Sequence, residues 1–156
     1  MRIRAVGALA GVAAVAAVAA SPDPDEQRRP KALADRGLAA ALGALLDTVV
    51  RPTTLKAADL PRLPARVEVC VYSCLATLLH GWPRGETRVL ISVSLRDGRL
   101  GVVLFDPEAT DFAHIATAAG WAVVVNRVAA LGGTLASSPN FGGLIITLDV
   151  PAAEPA

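Results

Sequence analysis

Residues 120–150 constrain the fold of this chain more than any other stretch. Gly120 opens a helical run from Trp121 to Leu131, and Gly132 and Gly133 stop it. Thr134 to Ser137 start a strand, Ser138-Pro139-Asn140-Phe141-Gly142-Gly143 form a glycine-rich turn, and Leu144 to Val150 are a closing strand. Gly132 is placed to end the helix in a left-handed conformation, which glycine adopts without the Cβ penalty. A helix followed at once by a hairpin has to find its layer against that hairpin.

The same alternation of helices and hairpins runs through the preceding residues. Thr87 to Leu95 has period two, with Val89, Ile91, Val93 and Leu95 on one face, and Arg96-Asp97-Gly98-Arg99 supplies an aspartate-glycine turn into Leu100, Val102 and Leu104. Asp106 closes that second strand. Val67, Cys70, Val71, Cys74, Leu75, Leu78 and Leu79 form a broad apolar stripe that predicts a buried helix from Arg66 to about His80. Further upstream, Leu38, Leu42, Leu45, Leu46 and Val49 recur at helical spacing, with Asp35 as the expected N-cap and Pro52 as the stop. Thr53 to Ala57 reads as a short edge strand. Residues 107–119 read as a loop with one helical turn around Phe112 to Ala118. The order predicts an α+β fold: a two-layer α/β sandwich whose mixed, mostly antiparallel sheet is covered by helices on one face. Residues 31–151 form the domain, 1–30 an alanine-rich leader and flexible linker, and 152–156 a tail.

At 156 residues the chain is long enough for one domain with a real core. Its formal net charge of +1 provides no basic field, which excludes nucleic acid as a partner held by the whole surface. Cys70 and Cys74 lie four apart on one helix face and behave as small core residues rather than a disulfide framework. With His80 they fall short of a zinc signature, so no metal site is expected.

The leader carries two readings. Met1-Arg2-Ile3-Arg4, sixteen small apolar residues and the Ala17-Val18-Ala19 step before Ser21 have the form of a secretory signal peptide. The same residues also suit an alanine-rich N-terminus on a cytoplasmic or membrane-associated protein. They are short and weakly apolar for a membrane anchor.

Taken in order, Arg36-Gly37-Leu38-Ala39-Ala40-Ala41-Leu42, Leu60-Pro61-Arg62-Leu63-Pro64 through Glu68 and Tyr72, Asp106, Gly120 and Gly142-Gly143 resemble the GHKL ATPase domain of two-component sensor histidine kinases, over residues 29–151. That resemblance implies an ATP-binding fold and protein-histidine kinase activity. It also implies departures at specific positions. The family's magnesium helix presents a glutamate and, four residues on, an asparagine; counted from Tyr72 these fall near Thr77 and Gly81, neither of which can ligate as required. Asp106 matches the aspartate that accepts the adenine amino group, but Glu108 and Thr110 stand where the family has glycines. Gly120 is retained and Val123 replaces a second glycine. Gly142 and Gly143 match the last glycine-rich turn, with Leu144 in place of the usual threonine.

From the residues alone, Asp106 is equally a turn-starting aspartate ahead of Pro107, and Gly142-Gly143 equally a hairpin turn. The resemblance makes Asp106, Gly120, Gly142 and Gly143 a degenerate nucleotide site, with ATP weakly held and magnesium in doubt. Neither His80 nor His114 lies in a phospho-acceptor context. The expected function is a degenerate histidine-kinase-like domain working by interaction, with a histidine kinase, a response regulator or a second copy in a homo-oligomer as partner. A kinase acting in trans on a partner's histidine, and an exported scaffold, are the alternatives.

Overall fold

The computed structural model describes residues 30–57, 59–109, 115 and 120–153. The leader before Pro30, Thr110, His114 and the last three residues lie outside that range. In chain order the elements are α1 (Lys31–Arg36), α2 (Leu38–Leu46), β1 (Thr53–Ala57), α3 (Ala65–His80), β2 (Val89–Arg96), β3 (Arg99–Asp106), α4 (Trp121–Ala130), β4 (Thr134–Asn140) and β5 (Gly143–Pro151). The strands form one mixed sheet in the order β1-β2-β3-β5-β4. β1 runs parallel to β2 and the other pairings are antiparallel.

The expected two-layer sandwich is present. Val89, Ile91 and Val93 of β2, Leu100, Val102 and Leu104 of β3, and Leu144, Ile146, Leu148 and Val150 of β5 are all buried on one face. They meet the apolar stripe of α3, in which Val67, Val71, Cys74, Leu75 and Leu78 are buried, and Trp121, Val124 and Val128 of α4. Side chains alternate across a strand, so the intervening residues form the outer face, which no helix among the described residues covers.

Several expectations are corrected. The expected helix is α2, and a further helix, α1, precedes it, because Gly37 has φ +90 and turns the chain between them. The Gly37 amide closes α1 on the Leu33 carbonyl at 3.1 Å, and its carbonyl accepts the Ala41 amide of α2 at 3.1 Å. Asp35 therefore lies inside α1 and caps nothing. α2 stops at Leu46, short of Pro52. Pro139, expected in the turn, is a residue of β4, where an edge strand tolerates a missing amide. The last strand runs to Pro151.

Arg62 braces the Gly37 turn. Its guanidinium donates to the Leu33 and Ala34 carbonyls at 3.3 and 3.2 Å and pairs with the buried Glu68 carboxylate at 3.1 Å. α3 thereby fixes the two N-terminal helices. No helix among the described residues is long and apolar enough to cross a membrane.

Candidate functional site

Three segments of the chain deliver four hydrogen bonds to the carboxylate at the end of β3. Burial raises the Asp106 carboxyl, but hydrogen bonds from Arg51, Trp82 and the Glu108 amide, with the Arg51 charge, outweigh burial and hold it below the ordinary aspartate value. Arg51 lies between α2 and β1, immediately before Pro52, and is only 4% exposed. It grips Asp106 through both ends of its fork, Nη1 to Oδ2 at 3.0 Å and Nη2 to Oδ1 at 2.7 Å. Trp82, just past the C-terminus of α3, donates its indole N–H to Oδ2 at 2.7 Å. The Glu108 amide donates to Oδ1 at 2.8 Å.

A carboxylate offers about four acceptor positions, and these bonds use two on each oxygen. Arg51 is equally committed. Its Nε donates to the Thr87 carbonyl at 2.8 Å, Nη1 also to the Pro83 carbonyl at 3.1 Å, and Nη2 also to Glu108 Oε2 at 3.0 Å. With the two bonds to Asp106, all of the roughly five guanidinium donors are engaged. Glu108 further accepts the Thr87 amide at 2.8 Å. Gly85 lets the loop close over this cluster: a Cβ there would lie 2.5 Å from Glu108 Oε2 and 2.7 Å from Arg51 Cζ. The arrangement is a filled, charge-paired core element with no acceptor of Asp106 left for an incoming amine.

The other expected site residues are only partly brought together. Gly143 lies against Asp106, since a Cβ on it would meet the Asp106 carbonyl at 2.7 Å. Gly142 has φ +83 in the β4–β5 turn with open space around it. Gly120 belongs to a different neighbourhood. It is the left-handed N-cap of α4, φ +65, and a Cβ there would sit 2.9 Å from the Thr77 methyl of α3. Thr77 lies five residues before Trp82, about 7 Å along a helix, so Gly120 and Asp106 flank the same end of α3. Gly81 is the C-cap of α3, its amide bonded to the Thr77 carbonyl at 3.4 Å, and it has no side chain to set beside Thr77. A pair four apart that ends at Thr77 begins at Ser73, so neither register supplies an acid or an amide. Val123 is exposed on α4, and Leu144 is buried opposite Asp106.

No cluster of three or more metal-ligating side chains occurs among the described residues, and Cys70 and Cys74 are not joined in a disulfide. A cavity of about 230 Å³ opens at the far end of α3, lined by Arg66, Val67, Leu131 and Pro151.

Arg51 and Trp82 are the site residues that the sequence pattern did not single out. Arg51 is 55 residues from Asp106 and belongs to no motif. The signal for Trp82 was its indole: a buried tryptophan needs an acceptor.

No family model matches the sequence, and no curated protein does. Solved structures do. The chain covers 58% of the histidine kinase domain of the blue-light activated histidine kinase EL346 of Erythrobacter litoralis, at TM-score 0.53 and 18% identity over 73% of its own length. It covers 87% of the histidine kinase domain of the E. coli osmosensor EnvZ at TM-score 0.54 and 15% identity, over 76% of its own length. It covers 93% of the mycobacterial sensor histidine kinase MprB at TM-score 0.52 and 14% identity, again over 76% of its length. The fold is that of the GHKL-type histidine-kinase ATPase domain. At these identities the likeness concerns the fold, and the chain spans little more than half of the Erythrobacter kinase domain. In this histidine-kinase fold, the position the resemblance assigns to adenine recognition is the Asp106 carboxylate that Arg51 and Trp82 occupy.

Proposed function

We propose that this is a catalytically degenerate histidine-kinase-like domain of two-component signalling, whose adenine end is closed by its own side chains and which acts through protein interaction. The carrying observation is the saturation of Asp106 by Arg51, Trp82 and the Glu108 amide. An adenine amino group would have to displace one of these four donors, either a charge-assisted bond from the buried guanidinium or a bond from the indole or amide already made to the carboxylate. Thr77, Ser73 and Gly81 add no magnesium ligand of the acid or amide kind. Its partners are then a histidine kinase or response regulator, bound rather than phosphorylated.

Gly120, Gly142 and Gly143 leave a few backbone amides for phosphate, so residual ATP or ADP affinity is millimolar at best and nearly independent of magnesium. The test is thermal melting with ADP. At 1 mM ADP and a dissociation constant of 1 mM or more, stabilisation is below about 0.4 kcal/mol, a shift of at most about 3 °C. A shift of several degrees at micromolar ADP, enlarged by magnesium, refutes the proposal. So does phosphotransfer to a related kinase's dimerisation domain that disappears in Asp106→Ala.

A further inference from the structure

The outer face of the sheet carries an apolar row in strict register. Leu90 of β2 pairs with Phe105 of β3, and Phe105 pairs with Ile145 of β5. The Phe105 ring leans over Gly143, where a Cβ would meet it at 2.7 Å. Leu90 is 47% exposed and Val103, further along β3, 39%. Three adjacent strands span about 10 Å, the diameter of an α-helix with its side chains. Sheet twist suits a face to a helix, as the inner face of this sheet already shows.

The register carries this row on to Ser138 of β4, and Phe141 lies beyond it in the β4–β5 turn, two residues before the Gly143 that the Phe105 ring leans over. It is fully exposed and has φ +43. Two-residue turns of this kind call for asparagine, aspartate or glycine, because the left-handed region is unfavourable for a residue with a bulky side chain. The other hairpin obeys the rule with Asp97 and Gly98. Here a strained phenylalanine recovers nothing by burial against the described residues, the mark of a side chain placed for a partner.

Charge selects the partner. Lys56, Arg88 and Arg96 are exposed at outer-face positions of β1, β2 and the lead into β2, while Asp149 on that face is taken by Arg99 at 3.0 Å. A second copy would set these cations against themselves. We propose that the outer face from Leu90 to Phe141 docks an amphipathic helix of a partner protein, its apolar stripe flanked by carboxylates, with Phe141 as the anchor. This deepens the interaction role proposed above and rests on it.

The test uses the full chain and two labelled synthetic 18-residue helical peptides with one leucine stripe, flanked by glutamates in one and lysines in the other. Fluorescence anisotropy at low salt should show micromolar binding of the glutamate peptide, and about tenfold or greater weakening with the lysine peptide, with Leu90→Ser and with Phe141→Gly. Phe141→Gly should melt at the same temperature or a few degrees higher, since glycine relieves the turn, so lost binding there is not lost folding. Equal binding of both peptides, binding of neither, or binding indifferent to Phe141→Gly overturns the surface. So does concentration-dependent dimerisation that Phe141→Gly abolishes, or tighter binding to phosphatidylglycerol vesicles than to the glutamate peptide. ADP titration of the same samples reads the other claim separately: failed docking without ADP binding removes only this surface, whereas micromolar ADP binding removes the degenerate reading.

Discussion

The surroundings of Asp106 and those of Gly120, the two halves of the expected nucleotide site, differ in kind. Around Asp106 the space is filled: a fork, an indole, a backbone amide and a second carboxylate converge on one another at 2.7 to 3.1 Å. Around Gly120, among the described residues, a threonine methyl lies against the glycine and Arg127 donates to Thr77 Oγ1 at a long 3.5 Å. The first neighbourhood is a packed, charge-paired structural element, and the second is shaped by a left-handed backbone turn. An aspartate that matches a binding motif is therefore no evidence of binding until its acceptors have been counted.

The contrast is sharpest at Arg51. Arg51→Met leaves the Asp106 carboxylate buried without its cation and should cost about 3–5 kcal/mol in urea denaturation. Adding Asp106→Leu should recover more than half of that loss, since an apolar pair needs no charge partner. A loss below about 1 kcal/mol for Arg51→Met would mean that the cluster is not structural. Trp82→Phe keeps the ring and removes one bond to a charged acceptor, an expected loss of about 1.5–3 kcal/mol. At the other neighbourhood Gly120→Ala should cost about 1–2 kcal/mol through its left-handed φ. Part of that loss should return when Thr77→Ser removes the methyl 2.9 Å away, read as coupling in a double-mutant cycle. Additivity within error would remove the α3–α4 contact from the argument.

The smallest effect is in pH dependence, because one carboxyl among 14 acidic residues carries it. The folded Asp106 binds its proton less readily than the unfolded chain, whose value is near 3.8. Its stabilisation is therefore complete above that pH and lost as pH falls through the lower folded value. Wild type should lose stability below about pH 4 more steeply than the Arg51→Met/Asp106→Leu pair. Parallel curves would show that the network does not set the Asp106 proton affinity.

Local rules made much of the fold legible. Period two and Asp97-Gly98 define the β2–β3 hairpin, the stripe from Val67 to Leu79 defines α3, and Gly132 stops α4 with φ +75. What escaped was non-local or depended on one backbone angle. Gly37 looked like a first-turn residue of a helix capped by Asp35, and only its φ of +90 puts the boundary between two helices there. Arg51 is an isolated basic residue in sequence, and its partner is fixed by the parallel pairing of β1 with β2. The candidate positions Asp106 and Gly143 come together because β5 pairs with β3, a non-local contact. That Asp106 is already occupied could not be read from any motif.

α3 is anchored to a buried carboxylate at each end. Glu68, in its first turn, is tied through Arg62 to the α1–α2 corner, and Trp82, just beyond its last, is tied to Asp106 at the end of β3. Sixteen helical residues make a strut about 24 Å long. A displacement at the N-terminal helices thus has a stiff mechanical route to the locked end of the sheet, and the bracing of Gly37 and the sealing of Asp106 should loosen together in hydrogen exchange.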